Sequence, residues 1–217
     1  MADTVSGLPG RGQTYLTGAG RTLASSGEMD LKLGVLKNFA DRDSTSTAKV
    51  MPLRSQRQVT MMFVRNVSGI ALLPKRLVRW KSGYRNRQVD GYCTADYAEA
   101  AGVVDECLPA AGVPNYDGFW IAVKGPHLCL TALEGNENNV IVMDDILSAL
   151  TAATSQATTA GRVWCPLYNA MTATTTSTMS IALNNLGRAM TARTTANTGG
   201  LTTGVVLVDL DILKSAN

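Results

Sequence analysis

His127 and Cys129 are the first residues to consider, because a thiol and an imidazole can serve as a nucleophile and its base. His127 is the single histidine of the 217-residue chain. The pair sits in GFWIAVKGPHLCLTAL, residues 118 to 133, where alternation predicts strands. Residues two apart on a strand share a face. That spacing rarely allows the required hydrogen bond, and no third group stands ready to orient the ring. The acid pairs are no stronger. Asp144 and Asp145 point to opposite faces if extended, while Asp209 and Asp211 share a polar face of a strand. GLPGRGQT, residues 7 to 14, imitates a phosphate-binding loop, but no strand precedes it and a glutamine stands where the lysine belongs. The cysteines, Cys93, Cys107, Cys129 and Cys165, have wide spacings that do not suit zinc. They read as buried or half-buried thiols in a reducing compartment. We therefore expect no enzyme, no cofactor and no metal.

The charge pattern says more. Net charge is only +3, yet from Ser44 to Val89 there are ten basic residues and no acid. Lys49, Arg54, Arg57, Arg65, Lys75, Arg76, Arg79, Lys81, Arg85 and Arg87 carry it, with Trp80 and Tyr84 between them. A solvated face usually mixes both signs, so this segment is read as facing an anionic partner. Arg pairs carboxylates of an acidic protein in a bidentate fork. A phosphate backbone with stacked bases is the other possibility. Protein is preferred, because the rest of the chain is not basic.

These residues need elements to position them. Residues 1–48 are polar and rich in Gly, Ser and Thr, and read as an extended or partly disordered N-terminal arm. Residues 49–217 read as a β-rich domain. VTMMFVRN (59–66) is a strand. IALLPKRLVRW (70–80) is an edge strand or two short ones, because Pro74 interrupts it. A short strand is expected near 89–93. Phe119, Ile121 and Val123 fall on one face and Trp120, Ala122 and Lys124 on the other, before Gly125-Pro126 separates a second run. VIVM (140–143) reads as a short buried strand, DDILSAL as a strand end or helical turn, and TTGVVLVDLDIL as the last strand.

Roughly eight to ten short strands divided by turn signals predict a mainly β fold, an antiparallel small barrel or sandwich. Between Asp145 and Asp209 the text is Thr-rich and only Arg162, Arg188 and Arg193 are charged, which fits a surface covered by other subunits. The N-terminus has no apolar core of a signal peptide, and no run reaches the ~18–20 apolar residues of a membrane span. A protein made in a cytoplasm, with no membrane partner, is expected.

Taken together, VRNVSGIALLPKRLVRW, VDGY, AAGVVDECLPAAGVPNYDGFWIAVKGPHLCLTA, TAGRVW, LGRAMTA and VLVDL resemble the small head proteins of tailed bacteriophages, the capsid decoration or cement proteins. The resemblance runs over residues 55–212 and is most specific in AGVVDE…LP…GVP, followed by FW and VKGP. It implies a β-rich structural protein of the virion surface. Such proteins often assemble as homotrimers, clamp neighbouring major capsid subunits and help the filled head resist internal pressure. It implies no active site. The basic residues from Arg54 to Arg87 are then the candidate partner-binding set, with the major capsid protein as partner and nucleic acid unlikely. Two other functions fit the same text: a tail-tube or head–tail joining protein, and a single-stranded nucleic-acid-binding module.

Overall fold

The computed structural model describes residues 8–14, 31–40, 57–94, 100–132, 141–149, 161–164, 186–191 and 203–212. Arg54, Cys165 and most of the Thr-rich text lie outside them.

The described residues form a mainly β fold of ten strands. They are β1 (Leu36–Ala40), β2 (Gln58–Asn66), β3 (Leu77–Trp80), β4 (Gln88–Tyr92), β5 (Ala100–Val104), β6 (Gly118–Ala132), β7 (Ile146–Ala149), β8 (Val163–Trp164), β9 (Gly187–Ala189) and β10 (Thr203–Asp211). All belong to one sheet, with order β1-β2-β4-β3-β5-β6-β10-β9-β7-β8. Two further pairings, β2–β6 and β6–β8, fold the sheet back on itself. The result is two five-strand circuits that share β6. One contains β2, β4, β3 and β5; the other contains β10, β9, β7 and β8. Pairing is antiparallel except at the short β2–β4 and β6–β8 contacts.

β6 can serve both circuits because it is 15 residues long. Its first half pairs with β2, from Arg65↔Gly118 to Thr60↔Lys124, and with β5. Its second half pairs with β10 from Asp211↔Lys124 to Thr203↔Ala132. The sequence reading divides this stretch into two strands at Gly125-Pro126. The structure corrects that: pairing to β10 runs through both residues. Gly125 has φ +89, and a Cβ there would overlap the carbonyl oxygen of Gln58. The glycine therefore bends the strand against β2 instead of ending it.

The alternation along β6 divides two apolar cores. Phe119, Ile121 and Val123 join Met62, Val64, Leu72, Val78, Val89 and Val113. Trp120 and Ala122 join Val59, Met61, Phe63, Cys129, Leu147, Val206, Val208 and Leu210. Both faces of β2 and β6 are thus covered by protein, which is why their text is almost continuously apolar. At β10 the expected alternation holds. Val208, Leu210 and Ile212 are buried, while Asp209 is exposed and Asp211 half-buried.

Other expectations meet mixed results. The 70–80 stretch does break into two pieces, an isolated Leu72↔Val113 bridge and β3. Pro74 precedes Lys75, whose φ of +66 makes the turn between them. Of the described residues of VIVM, Ile141 is buried but Val142 and Met143 are exposed, because the chain turns there with Asp144 at φ +69. DDILSAL supplies β7.

Two described pieces of residues 1–48 pack on the core, 8–14 through a turn and 36–40 as a strand. β1 pairs antiparallel with β2 from Leu36↔Met62 to Ala40↔Gln58. Phe39 meets the edge of Trp120, with ring centroids 5.1 Å apart. The Trp120 indole N–H donates to the Pro9 carbonyl at 2.8 Å, which ties the 8–14 segment to the same side chain.

Candidate partner-binding surface

His127 and Cys129 are both completely buried, and each makes backbone contacts. The Glu106 amide donates to His127 Nε2 at 3.2 Å. His127 Nδ1 lies 2.9 Å from the Leu128 carbonyl. These partners require the neutral ring with its proton on Nδ1. The Cys129 thiol points to the His127 carbonyl at 3.9 Å, not to the ring. Burial first, then the nearby Glu106 carboxylate, pushes its pKa up. Burial also pushes the Cys93 thiol up to about 12. Thiolates are disfavoured at both positions.

What surrounds His127 is a cluster that sequence reasoning did not find. Asp105 and Glu106 are buried at the end of β5. Arg11, 94 residues away from Asp105, reaches it with Nε at 3.3 Å and Nη2 at 3.2 Å, and reaches Glu106 at 3.3 Å. The Gly12 amide donates to Asp105 Oδ2 at 2.7 Å, and the Cys107 amide to Oδ1 at 3.2 Å. Burial works against the Arg11 charge, but Asp105 leads the neighbours that outweigh it, so its pKa is raised. Gly12 has φ +75, and a Cβ there would come 2.7 Å from the Cys107 carbonyl. Gly12 of GLPGRGQT thus serves a close approach of backbone to backbone, with Arg11 as the anchor. The one signal available was the Asp-Glu pair set between apolar Val103-Val104 and Leu108.

Burial, the largest effect, lowers the His127 pKa below its ordinary 6.5; Glu106 and Asp105 oppose this in part. The unfolded chain therefore takes up a proton near pH 6.5 that the folded chain resists. This contribution to stability is complete above pH 6.5 and is lost as pH falls toward the lowered folded value. The expected slope from this group is at most about 1.4 kcal/mol per pH unit. With one histidine, proton NMR reads the ring directly. Its resonance should stay constant as pH falls through 6.5, and a midpoint at or above 6.5 would contradict the buried neutral ring.

The other acid pairs are structural or solvated. Asp145 accepts from the Val142 amide at 2.8 Å, and Asp209 lies 3.8 Å from Arg57 with both side chains about half exposed. Among the described residues no group of His, Cys, Asp and Glu is arranged to hold a metal ion.

The structure disperses the basic set. Arg57 is at the start of β2 beside Asp209. Arg65 is half-buried in β2, and Lys75 is half-buried in its turn. Arg76 is buried, with its guanidinium 5.0 Å from the Tyr92 ring centre. Arg79 donates to Asp90 at 2.8 Å across the β3–β4 pair. What remains together is the β3–β4 connection. Lys81 is half-exposed, and Tyr84, Arg85 and Arg87 are exposed. This loop is ordered by its own backbone: Tyr84 N–H to Lys81 O at 2.9 Å, Arg87 N–H to Tyr84 O at 3.1 Å, and Lys81 N–H to Gln88 O at 2.9 Å. Gly83 and Asn86 supply its two positive φ values. Lys81 Nζ lies 5.0 Å over the Tyr84 ring. The arrangement is a rigid cationic hairpin with an aromatic side chain at its tip, able to pair with carboxylates or phosphates.

No family model, curated protein or solved structure matches this chain.

Proposed function

We propose that this chain is a structural virion protein that binds the outside of a phage head and stabilises contacts between major capsid subunits, with a homotrimer as its working form. The observation that carries the reading is the hairpin 81–87, whose backbone hydrogen bonds order a loop that brings Lys81, Arg85 and Arg87 together. Two features support it. The sequence resembles decoration proteins over residues 55–212. The two-circuit sheet, covered on both faces of its central strands, is a stiff base from which a hairpin can reach across a subunit boundary. Each contact is weak alone, and many copies on a closed lattice add rigidity through multivalency.

The test adds purified protein to DNA-filled heads that lack it and images them by electron microscopy. Regular protrusions at fixed lattice positions, with heads that survive heating better, are expected. The hairpin variant Lys81→Glu/Arg85→Glu/Arg87→Glu should reduce occupancy about tenfold, since three exposed pairs at about 0.5 kcal/mol each amount to about 1.5 kcal/mol. Arg76 and Arg79 are poor targets for this purpose, because one is buried and the other is engaged by Asp90. Unchanged occupancy in the hairpin variant would remove the electrostatic part of the proposal. Absence of protrusions would turn the reading to a tail-tube or joining protein, identified by few copies per virion.

Tyr84 within the basic hairpin also favours a second reading, a single-stranded nucleic-acid module that stacks a base on the ring. Salt-dependent binding of a labelled oligonucleotide, lost in Tyr84→Ala, would support it.

A further inference from the structure

We propose that two loops, residues 66–74 and 108–116, form the surface through which copies of this chain meet. This deepens the self-associating part of the reading above and is independent of the shell-binding part.

Neither NVSGIALLP nor LPAAGVPNY contains a charged residue. The two loops are joined by the Leu72↔Val113 bridge, whose two amides donate to the opposite carbonyls at 3.0 and 2.8 Å. Leu72, Val113 and Leu108 plug into the apolar core beneath. Ile70, Ala71, Pro109, Ala110, Pro114 and Tyr116 face outward, with Ile70 50% and Tyr116 60% exposed. A buried asparagine orders both loops. Asn66 Nδ2 donates to the carbonyls of Ile70, Val113 and Pro114 at 2.8–3.1 Å. Its Oδ1 accepts from both the amide and the hydroxyl of Ser68. The Gly69 amide donates to the Asn115 side chain across the loops at 3.0 Å.

Tyr116 carries the argument furthest. The Asp117 amide donates to the Pro114 carbonyl, and Tyr116 has φ +71, so the tyrosine stands at the third position of a turn that favours glycine or asparagine there. A bulky side chain at positive φ is an unfavourable choice for the free chain. A tyrosine held outward in this way is a rigid, amphipathic contact that loses little freedom on binding.

The charge distribution selects the occupant. The chain is cationic, and two copies meeting through their hairpins would oppose like charges. The loop pair offers an uncharged surface where two copies approach without repulsion, and it offers an anionic partner nothing to pair with.

Sedimentation equilibrium of the free protein, without heads, tests the proposal. Wild type is expected to self-associate. Tyr116→Gly suits the backbone and should keep the fold and its melting temperature within a few degrees, yet raise the dissociation constant at least about tenfold. Ile70→Asp should do the same by placing a carboxylate in the contact. If wild type is monomeric at every concentration, self-association and this surface both fall while shell binding stands. If both variants associate like wild type, this surface alone is wrong.

Discussion

Asp105→Ala is expected to break the anchor of the N-terminal segment and to cost about 3–5 kcal/mol, the range for removing one partner of a buried ion pair. Asp105 is 1% exposed, and the Arg11 side chain is 8% exposed. The carboxylate accepts from the Arg11 guanidinium and from the Gly12 and Cys107 amides. Alanine removes all these acceptors and leaves Arg11 facing Glu106 alone among the two carboxylates. The chain then has two options. It can keep Arg11 buried and bear the cost, or it can peel residues 8–14 away and lose the Pro9–Trp120 bond as well. Domains of ordinary stability hold only about 5–15 kcal/mol in total, so either outcome is large. Urea unfolding gives the cost, and exchange of the Trp120 indole N–H, which the Pro9 carbonyl holds only while residues 8–14 stay in place, separates the two options. Asp105→Asn keeps an acceptor oxygen and should be milder. Wild-type stability together with unchanged Trp120 indole exchange in Asp105→Ala would show that the cluster does not anchor the segment.

The second large effect is expected from Gly125→Val. Positive φ at a β-branched residue costs about 1–3 kcal/mol. The added side chain also meets the Gln58 backbone, an overpacking cost of about 1–3 kcal/mol more. The sum is roughly 2–6 kcal/mol. Position matters more than chemistry here. Gly125 lies where β6 passes from its pairing with β2 to its pairing with β10. A strand that cannot bend there must give up one of the two circuits. Gly83→Ala is the contrast, because nothing lies within 4 Å of its Cβ site and only the backbone conformation is strained. Thermal unfolding of the two variants should differ clearly, and equal melting temperatures would refute the role assigned to the bend.

Much of the fold was legible in the sequence. An apolar run followed by a turn signal located β2, and period-two alternation located the β6 text and the polar face of β10, because a strand with buried and polar faces must alternate. The mixed outcome at Pro74 was legible too, since a proline interrupts a ladder. The Gly125-Pro126 pair misled for a definite reason. Composition identifies where a chain departs from regular geometry, but a bend within a continuing ladder and a turn between two strands use the same residues. Among the basic residues, one-dimensional charge could not tell Arg76, buried on Tyr92, from Arg85, exposed in the hairpin.

The sequence by itself determined the fold class, the strand faces, the absence of acid from Ser44 to Val89 and the weak case for His127 and Cys129 as a catalytic pair. All of these depend on neighbours within a few residues. Only the tertiary structure decided that one strand closes two circuits, that Arg11 meets Asp105 across 94 residues, and that Asn66 holds two uncharged loops together. Those pairings depend on which distant segments the sheet brings side by side. Burial then makes each polar partner necessary, and no local pattern encodes that choice.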